Sequence, residues 1–369
     1  MKIAILTLPL HTNYGGILQA YALQTVLEKM GHEVCLIEKR RKPLRLPLWK
    51  APLSYGKRIV KNLTGHPFPI FYEQKINREE PIIRQNTDKF INKYIKRRIV
   101  DDYSDIQEKD FDAFVVGSDQ VWRPKYFHEI EHAFLDFTEG WNVKRVAYAA
   151  SFGTDAWEYT PKQTKRCREL IKNFDAVSVR ESSGVNLCRK YLGVDAAHVL
   201  DPTMLLSIDD YYNLGESANI HNNKEILFNY ILDETSDKRD LIHRISAEKG
   251  LTPFHICINR DFNVPVKKRI QPPLKQWLRG FIDAKFVVTD SFHACVFSII
   301  FHKPFLAVGN SNRGLSRFTN LLNLFGLGDR LLVKSNIGSE NNDINWTNVD
   351  NILLNYKEKS HLFLTKIFQ

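Results

Sequence analysis

The chain has 369 residues, 43% hydrophobic and 25% charged, with 52 Lys+Arg against 42 Asp+Glu for a net charge of +10. That is the composition of a soluble globular protein, and the length suits two α/β domains of ordinary size. No run of about 18 apolar residues occurs, so no transmembrane helix is expected, and the cation excess points to an anionic substrate, membrane surface or nucleic acid without choosing among them.

The start, Met1 to Leu8, is apolar but short and runs into His11, Asn13 and two glycines, so a first strand is expected rather than a signal peptide. Ile17 to Met30 follows with helical periodicity and is closed by Gly31; Glu33 to Ile37 reads as a second strand. This is a βαβ start with a glycine turn opening its helix, although GxGxxG is missing. Lys39 to Lys61 then holds nine Lys or Arg and no acid, interleaved with Leu44, Leu46, Leu48, Trp49, Leu53 and Ile59. It reads as a basic insertion, either a solvated loop and helix or a segment lying on an anionic membrane.

Three buried strands follow, each with polar residues at its carboxyl end. They are Phe111–Val116 before Gly117-Ser118-Asp119-Gln120-Val121-Trp122, Arg145–Ala150 before Ser151-Phe152-Gly153, and Ala176–Val179 before Arg180-Glu181. Open α/β sheets bind ligands at such ends. Ala197–Leu200 and Asp201-Pro202-Thr203 read as the exit from a first domain, residues 1–205.

A second series, residues 206–330, begins with a strand at Ile226–Ile231, a helix at Lys238–Gly250, a strand at Thr252–Cys257 and a helix at Leu274–Ala284. Phe286–Val288 is a buried strand; Asp290 or Ser291 is expected to cap the next helix, placing His293 in its first turn, where backbone N–H groups and the helix dipole favour an anion. Lys303 to Val308 adds a strand, and Arg313-Gly314-Leu315-Ser316-Arg317 reads as a basic loop beyond it. Residues 331–369 form a tail with helical spacing at Val349, Ile352, Leu353 and Tyr356, expected to pack back on the first domain.

His293 beside such an anion pocket is the candidate general acid, and Arg313 and Arg317 offer guanidinium forks that suit carboxylates and phosphates. Arg180 either grips an anion or pairs with Glu181 or another acid. Ser118, Asp119, Gln120 and Trp122 either offer a sugar polar groups and an indole face, with Asp119 a candidate to help deprotonate a hydroxyl, or form a structural turn around a core tryptophan. Asn13, Tyr14, Gly15 and Gln19 make a turn that a ligand can approach closely, or turn geometry alone. Five scattered cysteines (Cys35, Cys167, Cys188, Cys257, Cys295), with no CxxC, suggest reduced cytoplasmic thiols rather than disulfides or zinc, and no metal-ligand spacing is found. GxSxG, HExxH and P-loop motifs are missing. The basic residues form no recognised nucleic-acid motif, so no nucleic-acid partner is expected.

Taken in order, Asn13-Tyr14-Gly15-Gly16-Ile17-Leu18-Gln19-Ala20, Gly117 to Trp122, Tyr148 to Gly153, Ser178-Val179-Arg180-Glu181, Asp201-Pro202-Thr203, Thr289 to His293 and Arg313 to Arg317 resemble the polysaccharide pyruvyl transferase family over residues 1–330. The resemblance implies two Rossmann-like domains facing a cleft, in a GT-B-like α/β fold. It implies phosphoenolpyruvate as co-substrate with no further cofactor, and a pyruvate ketal as product, with galactose bridged at positions 4 and 6 as the family-based acceptor. It also implies a polyprenyl-diphosphate-linked saccharide at the inner face of the cytoplasmic membrane. The family's histidine falls on His293 and its strand-end arginine on Arg180. Where many members carry an arginine two residues before the histidine, this chain has Ser291, so Arg313 and Arg317, with Ser316 between them, become the candidates for the donor's charge. A nucleotide-sugar glycosyltransferase on the same fold is the alternative reading.

Overall fold

The computed structural model describes residues 1–66, 68–215, 225–256, 261–309, 314–332 and 343–369. Arg313 and Cys257 lie outside the described residues.

The first domain is a parallel sheet of seven strands: β1 (Lys2–Leu6), β2 (Glu33–Lys39), β3 (Arg97–Val100), β4 (Ala113–Gly117), β5 (Lys144–Ala150), β6 (Ala176–Val179) and β7 (Ala197–His198). Their order is β3-β2-β1-β4-β5-β6-β7, the doubly wound arrangement with its switch point between β1 and β4. The inner strands are near-continuous apolar runs because both faces are covered: Ile3 to Leu6 and Ala113 to Val116 are almost wholly buried. The helices of this domain are α1 (Tyr14–Lys29), α2 (Ala51–Leu63), α3 (Tyr72–Ile83), α4 (Gln85–Tyr94), α5 (Pro161–Leu170) and α6 (Ser182–Leu187). Helices α2 to α4 are all inserted between β2 and β3.

After α7 (Ile208–Gly215) comes a second parallel sheet built from β8 (Ile226–Tyr230), β9 (Thr252–His255), β10 (Ala284–Thr289), β11 (Phe305–Val308) and β12 (Leu331–Leu332), ordered β12-β11-β10-β8-β9. Its helices are α8 (Ser236–Lys249), α9 (Leu274–Asp283), α10 (Phe292–Ile300) and α11 (Leu315–Leu324). The switch point lies between β8 and β10.

The two domains share one core. Tyr14 is wholly buried, with its ring 5.6 Å from Trp277 and 6.2 Å from Tyr230, and its hydroxyl donates to the Pro272 carbonyl at 2.5 Å. The last helix, α12 (Trp346–Phe368), runs back over the first domain. There Ser360 Oγ accepts from Leu200 N at 3.0 Å, and Phe363 lies 6.1 Å from the ring of Tyr148.

Candidate active site

The site forms where the carboxyl ends of both sheets meet, and its frame is the turn after β4. Gln19, one turn into α1 and almost unexposed, accepts from Ser118 N at 3.1 Å and donates to Thr7 Oγ1 and the Gly16 carbonyl, each at 3.0 Å. Thr7 Oγ1 in turn donates to the Ser118 carbonyl at 3.1 Å. The first switch point is thereby closed with its buried polar groups satisfied. The turn carries a cis Gly117–Ser118 peptide and places Asp119 at φ +68, in the left-handed region that aspartate tolerates better than most residues.

Arg180 leaves the end of β6 and is gripped by three carboxylates. Its Nε donates to Glu181 Oε1 at 3.0 Å, one terminal nitrogen to Asp201 Oδ2 at 2.7 Å and the other to Asp119 Oδ1 at 3.1 Å. The Arg180 side chain is 1% exposed and those of its acids 6%, 4% and 2%, so the pairs stand outside solvent screening. The Phe292 ring lies 4.5 Å from the Arg180 guanidinium carbon and 5.5 Å from that of Arg317, so one aromatic ring serves two cations. Burial opposes ionisation of Asp119, but the charges of Arg180, His293 and Arg317 outweigh it and hold the carboxyl below the usual range. Asp201 is depressed further: burial raises it, and His293, Arg180 and the Thr203 hydroxyl more than offset this. Burial, then the charge of Arg180, pushes Arg317 down to about 10.

His293 is the second residue of α10, 5% exposed, with Nε2 3.7 Å from Asp201 Oδ2, ion-pair range when the ring is protonated. Gly15 makes this approach possible, because a Cβ there would overlap the imidazole. A second contact between the domains is equally close: a Cβ on Gly314, at φ +89, would overlap the Gly153 carbonyl. Ser182 N donates to Asn320 Oδ1 at 3.1 Å, tying α6 to α11 beside it.

Several sequence expectations are corrected by these contacts. Neither Asp290 nor Ser291 caps α10 through its side chain: Ser291 is the N-cap residue and accepts no side-chain bond. Asp290 instead points back to Leu232 N (2.6 Å), Asp233 N (3.1 Å) and Lys238 Nζ (2.7 Å), pinning the start of α8 to the end of β10. Of the two readings of Arg180, pairing with acids is the one observed: all three of its nitrogens are engaged by Glu181, Asp201 and Asp119, which leaves no open fork. Asp119, held ionised by that pairing, is a weak base for a sugar hydroxyl. Trp122 is wholly buried, stacked on Phe134 at 4.9 Å and 9°, with Nε1 donating to the Ala133 carbonyl at 3.0 Å, so it offers no ring face to a sugar. Tyr14 is core, as described. Gln120 is buried, with its side-chain carbonyl accepting from Arg123 at 3.3 Å. Asn13 is exposed, as the N-cap residue of α1. Arg317 and Ser316 lie in the first turn of α11, not in a loop; Arg317 is buried and Ser316 half-buried. Asp201 and Glu181 complete the cluster; their only signal in the sequence was their place in the motifs Asp201-Pro202-Thr203 and Ser178 to Glu181.

Beside the cluster a cleft of about 470 Å³ opens at the carboxyl ends of β1 and β2, lined by Thr7, Leu8, Leu10, Glu38, Lys39, Tyr103, Tyr126 and Glu129 among others. Thr7 belongs to both the cleft and the hydrogen-bonded frame. Tyr126, 38% exposed, offers a ring there beside Glu129, whereas Tyr103 is buried against Phe137.

Among solved structures the chain is similar over 98% of its length to Arabidopsis thaliana UGT89C1 complexed with UDP-L-rhamnose, at 8% identity, with a TM-score of 0.52 and 97% of that chain covered. It is also similar to the Methanocaldococcus jannaschii UDP-GlcNAc 2-epimerase in complex with UDP-GlcNAc and UDP, at 13% identity and TM-score 0.47, covering 100% of this chain and 99% of that one. The fold is thus GT-B-like, as expected. Comparison with curated proteins finds no match. A sequence profile described as polysaccharide pyruvyl transferase matches residues 13–312, a span that holds every residue of the buried cluster except Thr7 and Arg317. The chain belongs to the polysaccharide pyruvyl transferase family.

Proposed function

We propose that this enzyme transfers the pyruvyl unit of phosphoenolpyruvate to a sugar, with galactose bridged as a 4,6-ketal as the working acceptor, carried on a polyprenyl diphosphate at the inner face of the cytoplasmic membrane. The observation that carries the reading is His293 at the start of α10, set against Asp201 of the opposite domain, which Arg180 also holds, with Arg180 and Arg317 both over the ring of the neighbouring Phe292. A proton donor at a helix N-terminus beside buried guanidinium groups suits an enol phosphate. An anion next to Arg317 would offset the cost of burying its charge and the repulsion by Arg180, which together lower its pKa. Arg180 acts through its acids, as a positioning residue.

In this scheme His293 gives a proton to the methylene carbon, and a sugar hydroxyl adds to C2, its proton returning to the imidazole. The C2–O bond to phosphate then breaks, phosphate departs with the bonding pair, and a second hydroxyl closes the ketal while its proton passes to phosphate. Atoms balance with phosphoenolpyruvate and acceptor alone. The 470 Å³ cleft on the first domain is where the acceptor is proposed to lie.

The test follows phosphate release and acceptor mass together, using phosphoenolpyruvate and galactose-, mannose- and N-acetylhexosamine-terminated acceptors, free and lipid-linked. Phosphate release matched by an acid-labile pyruvate adduct, lost in His293→Ala at saturating donor, is expected. Turnover of a nucleotide sugar instead, with inhibition by a nucleoside diphosphate, overturns the reading in favour of glycosyl transfer. Normal turnover by His293→Ala removes the acid role.

A further inference from the structure

Helix α2 is amphipathic and mounted the wrong way round for a soluble protein. At about 100° per residue its apolar side chains, Tyr55, Ile59, Pro52, Leu63, Val60 and Leu53, fill one arc, and Lys57, Lys61, Ser54, Arg58 and Asn62 fill the other. A surface helix ordinarily turns the apolar arc to the core. Here the foot is narrow: Arg58 of the polar arc, with Tyr55 at the edge of the apolar arc set against Phe71. Arg58, 14% exposed, donates to both oxygens of Glu73 (2.8 and 2.6 Å) and to the Ile70 carbonyl (2.7 Å). The apolar arc faces water, with Leu53 67%, Val60 58% and Leu63 81% exposed, and the preceding turn adds Leu48 at 91% and Trp49 at 78%. No residue of the helix is buried.

The charges around this arc are uniform. Lys39, Arg40 and Arg41 are paired with acids of the body, Glu129, Asp101 and Glu80. Beyond them Lys42, Arg45, Lys50, Lys57 and Lys61 are exposed, and none pairs with an acid among the described residues. No acid occurs from Lys39 to Lys61.

We propose that α2 and the Leu48–Lys50 turn dock this protein on an anionic lipid bilayer, with Leu48, Trp49, Leu53, Val60 and Leu63 entering the headgroup boundary and Lys50, Lys57 and Lys61 meeting the lipid charges. A nucleic acid would satisfy the cations and leave the leucines in water. A second copy would cover the leucines and bring like charges together. An anionic bilayer satisfies both. The proposal rests on the helix and not on the reaction, so either can fail alone.

The test mixes the full chain with vesicles of phosphatidylglycerol and phosphatidylcholine in equal parts, or of phosphatidylcholine alone, and reads flotation. Quenching by brominated lipids reports insertion, because Trp49 is the one tryptophan of six that is mostly exposed. Binding to the anionic vesicles at least tenfold tighter than to the neutral ones is expected, with quenching that Trp49→Phe removes. Leu53→Glu/Leu63→Glu is expected to weaken binding at least tenfold with an unchanged unfolding midpoint. The proposal is overturned by failure to float, by equal binding of the glutamate variant, or by salt-reversible binding without Trp49 quenching. It is equally overturned by vesicle-independent dimers that the glutamate variant abolishes.

Discussion

Replacing Arg180 with Met removes the one cation shared by three buried carboxylates and leaves their burial in place. Removing one partner of a buried ion pair costs about 3–5 kcal/mol, and the side chains here are at most 6% exposed, so the upper half of that range is expected at pH 7. The pH dependence is the sharper test. In the wild type Asp119 and Asp201 sit below their unfolded values, so their contribution is present above about pH 4 and is lost as pH falls through the folded values. Without Arg180, burial, already the largest single influence on Asp119, is opposed by His293 and Arg317 alone, and the folded pKa is expected to rise above the unfolded one. A carboxyl raised in this way destabilises while ionised and ceases to do so once protonated. The variant's deficit is therefore widest at pH 7 and narrows on acidification toward pH 5, by about 1.4 kcal/mol for each unit by which the raised pKa exceeds 5. Urea unfolding followed by tryptophan fluorescence, at pH 7 and pH 5, measures it. Adding Asp119→Asn to the variant is expected to return at least about 1 kcal/mol at pH 7, because the isostere removes a stranded charge. A deficit equal at both pH values, or below about 1 kcal/mol, refutes the counter-ion account.

Gly15→Ala is expected to push the His293 ring aside and lower kcat about a hundredfold with near-native circular dichroism, since misplacement by an ångström has that scale; unchanged kcat means the ring is not held by this contact. Arg317→Ala is expected to raise the KM for phosphoenolpyruvate about 10- to 100-fold, the worth of one charge-assisted hydrogen bond, and an unchanged KM detaches Arg317 from the donor. Trp122→Phe is expected to cost about 1–2 kcal/mol in urea unfolding through loss of the bond to Ala133, with the acceptor KM unmoved; a raised acceptor KM restores the indole to the saccharide site.

Strands such as β1, β4 and β10 were legible because burial on both faces demands unbroken apolar runs, and the polar residues after them marked the right ends of the sheets. Strand β3, Arg97-Arg98-Ile99-Val100, was not read: it lies on the sheet edge, where cations are tolerated and the apolar run is dispensable. Helices α3 and α4 were likewise missed, their polar sequences holding three buried residues between them, Glu79, Thr87 and Ile91. His293 was legible from a strand–turn–helix pattern. The Arg180 net was not, because Asp119, Glu181 and Asp201 come from three strand ends that only the sheet brings together. Trp122 misled for the same reason: the partners that bury it, Phe134 and Ala133, lie on a later turn. In the basic insertion the apolar and cationic residues were visible, but which arc faces water depended on Glu73, an acid outside it.

The return of α12 to the first domain has a mechanical meaning. The chain passes from the first domain to the second after Asp201 and comes back after Leu332, so the domains are joined by two peptide connections. Ser360 of α12 accepts the backbone hydrogen bond of Leu200, the residue just before Asp201. The carboxylate that His293 faces is therefore held from behind by the last helix of the second crossing, and Ser360→Val would loosen Asp201 while leaving every residue of the cluster in place.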